Sequence, residues 1–150
     1  MNKVVVSGSR DRSMQYARAR RLAAHILKAL QIKRHILEVV FLENKEMRLL
    51  KREYFAKRKK RRRESRKTPA NVLAFPEPKG LLLPFRFRRL LGEIYLNSDV
   101  IKEKPQDMAS LLLHGILHLL GYTHEKKRDA YRMEALQGRL LRAMKKRHRP

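Results

Sequence analysis

The chain has 150 residues, 43% of them apolar, and no cysteine; this suits one domain with a real core and excludes a disulfide scaffold, a thiolate zinc site and a cysteine nucleophile. Its 38 Lys and Arg residues against 14 Asp and Glu give a formal net charge of +24. Self-repulsion on that scale works against compactness, so a polyanionic partner is expected, either nucleic acid or an anionic surface.

The opening MNKVVVSGSRDRS has too short an apolar stretch for a signal peptide, and Val4–Val6 within it reads as a first strand. Asp11 or Ser13 is placed to cap a helix that carries Tyr16, Ala19, Ala23, Ile26, Leu27 and Leu30 on one face. His35 to Leu42, HILEVVFL, reads as a buried strand, and Asn44 then caps a helix with Met47, Leu50 and Tyr54 inward. The run Lys57–Lys67, KRKKRRRESRK, holds nine basic residues among eleven and reads as a loop. TPANVLAFPEP places a strand at Val72–Phe75, stopped by Pro76 and Pro78. Pro84, Phe85 and Phe87 fall in a segment without an assignment, and GEIYLN is a further strand. Asp99 begins a short helix, and Pro105 with Asp107 starts a leucine-rich helix that Gly121 ends. A last amphipathic helix runs from about Glu125 to Lys146 with Met133, Leu136, Leu140 and Met144 inward. Strands alternating with helices argue for an α/β domain with a mostly parallel sheet, and no internal repeat interrupts it. The longest apolar region, Met108 to Tyr122, is broken by Ser110, His114 and His118 and falls short of the roughly 18 residues of a membrane span. A cytoplasmic protein with no membrane partner is expected.

The leucine-rich helix carries the chemistry. Positions i and i+4 lie on one face, so His114 and His118 are close enough to share one ion, and Gln106 and Ser110 extend the same polar seam. His124 is on the wrong side of a continuing helix. A glycine at position 121 allows a left-handed stop, after which the chain turns back and His124 swings toward the pair. Three neutral imidazoles then hold a divalent ion, zinc for preference, with a fourth position open, as in a catalytic rather than a closed structural site. The alternative is that the rings hydrogen-bond within the core. Left without partners there they would be unfavourable by roughly 1–3 kcal/mol each. The spacing HxxxHxxGxxH is also that of the metzincin proteases, which carry a general-base Glu directly after the first histidine. Here that residue is Gly115, so proteolysis is the weaker reading. Glycine inside a helix is unfavourable by about 1 kcal/mol against alanine, which implies close approach of a strand or a substrate.

LLLHGILHLLGYTH resembles the signature of the YbeY family, bacterial endoribonucleases of rRNA maturation. PANVLAFP is similar to that family's Pro-Thr-Asp/Asn-Val-Leu-Ser-Phe-Pro strand, LLGEIYLN to its Leu-Gly-Asp-Ile strand, and MEALQGRLL to its final helix; the likeness runs over roughly residues 35 to 142. The resemblance implies one domain over residues 1–150, with a small, mostly parallel mixed sheet flanked by helices around a buried metal-binding helix. It implies His114, His118 and His124 as ligands of zinc or a similar ion. It implies metal-dependent cleavage of single-stranded RNA in 16S rRNA 3′-end maturation and ribosome quality control, with rRNA and the small ribosomal subunit as partners. Three departures stand out. Thr123 replaces an Asp before the last histidine, Glu93 replaces the Asp of Gly-Asp, and Glu64 occupies the place of an active-site arginine.

Beside Glu64, Arg62, Arg63 and Arg66 are the candidates for that arginine's role and for gripping phosphates, although a charge run can also be no more than a solvated loop. The basic end RAMKKRHR, Arg142 to Arg149, is a second candidate patch. Tyr54 and Phe55, at helical spacing, suit the core better than a base-stacking platform. No residue is assigned as the general acid or base; Glu125, one residue past His124, is a possible base but starts the next helix. The rival readings are a zincin-like metalloprotease and a non-catalytic RNA-binding ribosome-assembly factor.

Overall fold

The computed structural model describes residues 1–8, 13–56, 71–77 and 89–147. The first strand, β1 (Lys3–Gly8), is followed by α1 (Ser13–Ala29), β2 (His35–Leu42) and α2 (Asn44–Ala56). Then come β3 (Val72–Pro76), β4 (Arg89–Asn97), α3 (Ser98–Glu103), a 3₁₀ turn at Pro105–Asp107, α4 (Met108–Leu119) and α5 (Lys127–Arg147). The four strands form one sheet in the order β1-β2-β4-β3. β1, β2 and β4 run parallel and β3 pairs antiparallel to β4, so the expected mixed, mostly parallel sheet is the one observed.

Alternation along the strands sorts the two faces. Leu37, Val39 and Phe41 of β2 and Ile94 and Leu96 of β4 are fully or almost fully buried. They meet Ala19, Ala23, Ile26 and Leu27 of α1 and Leu112, Leu113, Ile116 and Leu117 of α4 in one core. At roughly 25 cal/mol per Å² of apolar surface, this layer supplies most of the driving force for folding. Met133 and Met144 of α5 close over it, with Leu136 and Leu140 half-buried beside them. The opposite face carries Tyr95, whose ring meets Phe75 edge-on at 5.6 Å, and Phe75 meets Tyr54 of α2 at 4.9 Å. Tyr54 is therefore a packing residue, as its spacing implied.

Helix starts depart from the sequence reading in an informative way. α3 begins at Ser98, one residue before Asp99, and Asn97 caps it: its side-chain oxygen accepts from Asp99 N at 3.0 Å and Val100 N at 3.3 Å. Asp99 instead accepts from the Asn44 backbone N–H at 2.8 Å, while Asn97 Nδ2 donates to Asn44 Oδ1 at 2.7 Å. Asn44 thus spends its side chain on tying α2 to α3. The capping place falls to Glu43, whose carbonyl accepts from Met47 N at 2.9 Å and whose N–H is taken by Glu46 at 3.3 Å. That is half of a capping box. Pro76 ends β3 rather than following it, which an edge strand tolerates because no partner needs its missing N–H. β4 starts earlier than GEIYLN, at Arg89. Its register against β2 shifts between Ile36 and Leu37, and Gly92 there has φ +146°. Asp11, the basic run 57–67, the segment with Pro84, Phe85 and Phe87, and residues 148–150 lie outside the described residues.

Candidate metal centre

α4 is buried on most of its circumference, so its two histidines project from an otherwise apolar rod. The helix ends as Gly121 allows. Gly121 has φ +99°, its N–H donates to His118 O at 3.0 Å, and the Tyr122 N–H reaches back to Leu117 O at 3.1 Å. This pair of bonds is a Schellman stop with glycine in the left-handed position. The chain reverses and brings His124 alongside the pair. His114 Nε2 lies 3.0 Å from His118 Nε2 and 3.3 Å from His124 Nε2. One ligand atom from each of the three rings falls within 4.8 Å of the others, and the ring centroids are 4.6 to 4.9 Å apart.

The outer edges of two rings are already engaged. His118 Nδ1 lies 2.8 Å from the Tyr122 carbonyl, and His114 Nδ1 lies 3.1 Å from Gln137 Oε1 of α5. Each oxygen accepts only, so each Nδ1 carries the proton and each Nε2 presents a lone pair to the cluster. Two lone pairs facing each other across 3.0 Å repel unless a cation lies between them. Protonation is an unfavourable escape. Burial lowers the pKa of His114, with Gln137 pulling it up and His124 pushing it down. Burial also lowers that of His118, reinforced by His114 and His124 and opposed by the Tyr122 carbonyl. Burial thus favours the neutral form of these two rings, the form that metal ligation requires. Zn–N bonds of about 2.0–2.1 Å at tetrahedral angles separate imidazole nitrogens by about 3.3–3.4 Å, so the spacing suits a tetrahedral divalent ion. His114 and His118 are half-buried and His124 is exposed, which leaves the solvent side accessible.

Gly115 answers the question its position raised. A Cβ there would stand 3.1 Å from Ile94 Cδ1 and 3.1 Å from Ile94 Cγ2, so it is a strand, β4, that approaches the backbone. The position faces the sheet, and a carboxylate on it would enter the core instead of reaching the histidines. Glu93 does not join the triad either. Neighbouring Ile94 packs under α4, so alternation puts Glu93 on the other face, where it accepts from Tyr95 Oη at 2.8 Å. There burial, Glu93 itself and Glu77 raise the Glu38 carboxyl above its ordinary range, and burial together with Glu93 pushes Tyr95 up to about 12. Ser110, read as part of the seam, bonds Gln137 rather than lining the cluster, and Gln106 is exposed. Glu125 is exposed in the loop before α5, and Arg62, Arg63 and Arg66 lie outside the described residues. A cavity of about 370 Å³ borders the reversal, lined by Leu120, Gly121, Tyr122, Thr123, Asp129 and Arg132.

Gln137 was missed by sequence reasoning. Its signal was present: it falls four residues after Met133 on the inward stripe of α5, a polar side chain where an apolar one is expected.

The chain is similar to known proteins over most of its length. The profile of the family described as Endoribonuclease YbeY matches residues 6–145. A protein named Endoribonuclease YbeY from Halorhodospira halophila is 34% identical over 116 residues, 72% of this chain and 70% of that one. One of the same name from Ehrlichia canis is 34% identical over 114 residues, 71% of this chain and 65% of its own length. A third, from Chromohalobacter salexigens, is 36% identical over 118 residues, covering 72% and 68%.

Proposed function

The chain belongs to the YbeY endoribonuclease family, and from that premise we propose that it cuts single-stranded RNA with one zinc ion held by His114, His118 and His124. We place its work in the cytoplasm, in maturation of the 16S rRNA 3′ end and in quality control on the small ribosomal subunit. The observation that carries the reading is the convergence of three imidazole nitrogens, with the outer edges of His114 and His118 hydrogen-bonded and their facing Nε2 atoms repelling each other without a cation. A divalent ion held there would supply a Lewis acid for a phosphodiester and make water a stronger acid.

The remaining work falls to the chain. His114 and His118 hold the ion from a rigid helix, and His124, on the solvent side, completes the set while leaving room for substrate. A charge of +24 draws the RNA backbone in and makes affinity strongly salt-dependent. Arg62, Arg63 and Arg66 are proposed to neutralise charge that builds on the phosphate oxygens during cleavage. The protease reading gains nothing from the structure, because Gly115 faces Ile94.

The test is cleavage of a single-stranded RNA with and without a chelator, beside a casein control. Cleavage should stop on chelation, return with zinc, and be lost in His114→Ala. A 2′,3′-cyclic phosphate on the product would identify the ribose 2′-OH as the attacking group. Cleavage that survives both chelation and loss of His114 refutes the proposal.

A further inference from the structure

The proposed ion has a keeper on another helix. Gln137 sits on α5, and its side chain spans two residues of α4 one turn apart. Its Nε2 donates to Ser110 Oγ at 3.1 Å and to the Ser110 carbonyl at 3.4 Å. The carbonyl can only accept, so it fixes which end of the amide is nitrogen. Oε1 is then obliged to face His114, 3.1 Å from Nδ1. His114 has no other way to satisfy that acceptor than to place its proton on Nδ1. The lone pair is left on Nε2, the atom aimed at His118 and His124.

We infer that Gln137 is a positioning residue of the metal centre: held by Ser110, it selects the His114 tautomer that can ligate and couples the docking of α5 to metal occupancy. This rests on the proposed zinc site but adds a residue and a direction of control to it. Two features separate the role from plain packing. Rotation of the amide by half a turn would set Oε1 against the Ser110 carbonyl, a repulsive contact between two acceptors, so the relay favours the observed arrangement. Gln137 is also neutral. It orients the ring without adding negative charge to the three histidines of the cluster. Among the described residues, His118 is oriented by the Tyr122 carbonyl within its own helix stop, whereas His114 depends on a distant element.

The experiment compares Gln137→Leu, Gln137→Glu and Ser110→Ala with the wild-type chain. Zinc affinity is measured by competition with a chromophoric chelator, and the His114 tautomer is read by ¹H–¹⁵N NMR of the metal-free proteins. Outer hydrogen-bond partners of metal-bound histidines typically change affinity by about 10–100-fold. Gln137→Leu should weaken zinc binding by about that range and leave His114 in mixed tautomers. Gln137→Glu, which keeps the acceptor, should retain the Nδ1–H form and bind zinc at least as tightly as wild type. Ser110→Ala should fall between them. The metal-free melting temperatures report any structural loss separately, and should Gln137→Leu fail to fold, the other two variants decide. Zinc affinity in Gln137→Leu or Ser110→Ala equal to wild type, with His114 still in the Nδ1–H form, overturns the inference. A wild-type chain that binds no zinc would instead defeat the proposed function, and the tautomer comparison would still judge Gln137.

Discussion

Replacing Gly121 by alanine isolates the turn on which the candidate centre depends. Among the described residues nothing lies within 4 Å of a Cβ at that position, so no steric contact with them contributes. The whole effect comes from φ +99°, which L-residues rarely adopt. A left-handed conformation is unfavourable for an L-residue by roughly 1–2 kcal/mol. Stability shifts by about 2–4 °C per kcal/mol for a chain of roughly this size, so the metal-free protein should melt about 2–8 °C lower. A chain that relaxes the strain by opening the turn also moves His124 away, and loses the bond from Gly121 N to His118 O. Gly121→Ala should therefore bind zinc more weakly as well as melt earlier. Asparagine tolerates left-handed backbone better than alanine does, and Gly121→Asn should recover part of both losses. The assays are a thermal melt without metal and a zinc competition titration. An alanine variant with unchanged melting temperature and unchanged zinc affinity would refute the claim that this reversal builds the site.

The histidines should not be equivalent. His114→Ala or His118→Ala should abolish tight zinc binding, whereas His124→Ala, which removes the exposed ring from a pair that stays in place, should leave weak binding measurable in the same titration. The pH dependence of the metal-free protein follows from His114 and His118, whose pKa values are lowered from 6.5 in the fold. Above pH 6.5 they are neutral whether folded or unfolded and contribute nothing. As the pH falls from 6.5 through their lower folded values, the unfolded chain takes up protons first and stability is lost. Melts against pH should show that fall in the wild type and a smaller one in the double variant His114→Gln/His118→Gln. The Glu38 carboxyl works in the opposite sense, since its pKa is raised above 4.5. It destabilises the fold increasingly from pH 4.5 up through its folded value, so Glu38→Gln should raise the melting temperature at neutral pH, with the gain gone below about pH 4.5.

Much of this was readable in the residues, and the reasons are local. The spacing of His114 and His118, with Gly121 as a stop, fixes where His124 can go, because helical geometry and the freedom of one glycine involve only neighbours in the chain. The strand at His35–Leu42 and the buried face of α1 are legible on the same ground. What stayed hidden depends on partners distant in sequence. Asn97 caps α3 while also holding Asn44, 53 residues away, and nothing local ranks it above Asp99. Gln137 meets His114 across 23 residues, so its misplaced polarity was visible but its target was not. Gly115 showed that something lay close, and only the packing of α4 on β4 identifies Ile94.

Zinc K-edge X-ray absorption on the chain loaded with one equivalent of zinc addresses the central claim most directly. The account predicts stoichiometric binding with about three imidazole nitrogens and one lighter ligand at roughly 2.0–2.1 Å, and loss of that signature in His118→Ala. Substoichiometric zinc, or a coordination shell without imidazole scattering, would contradict it.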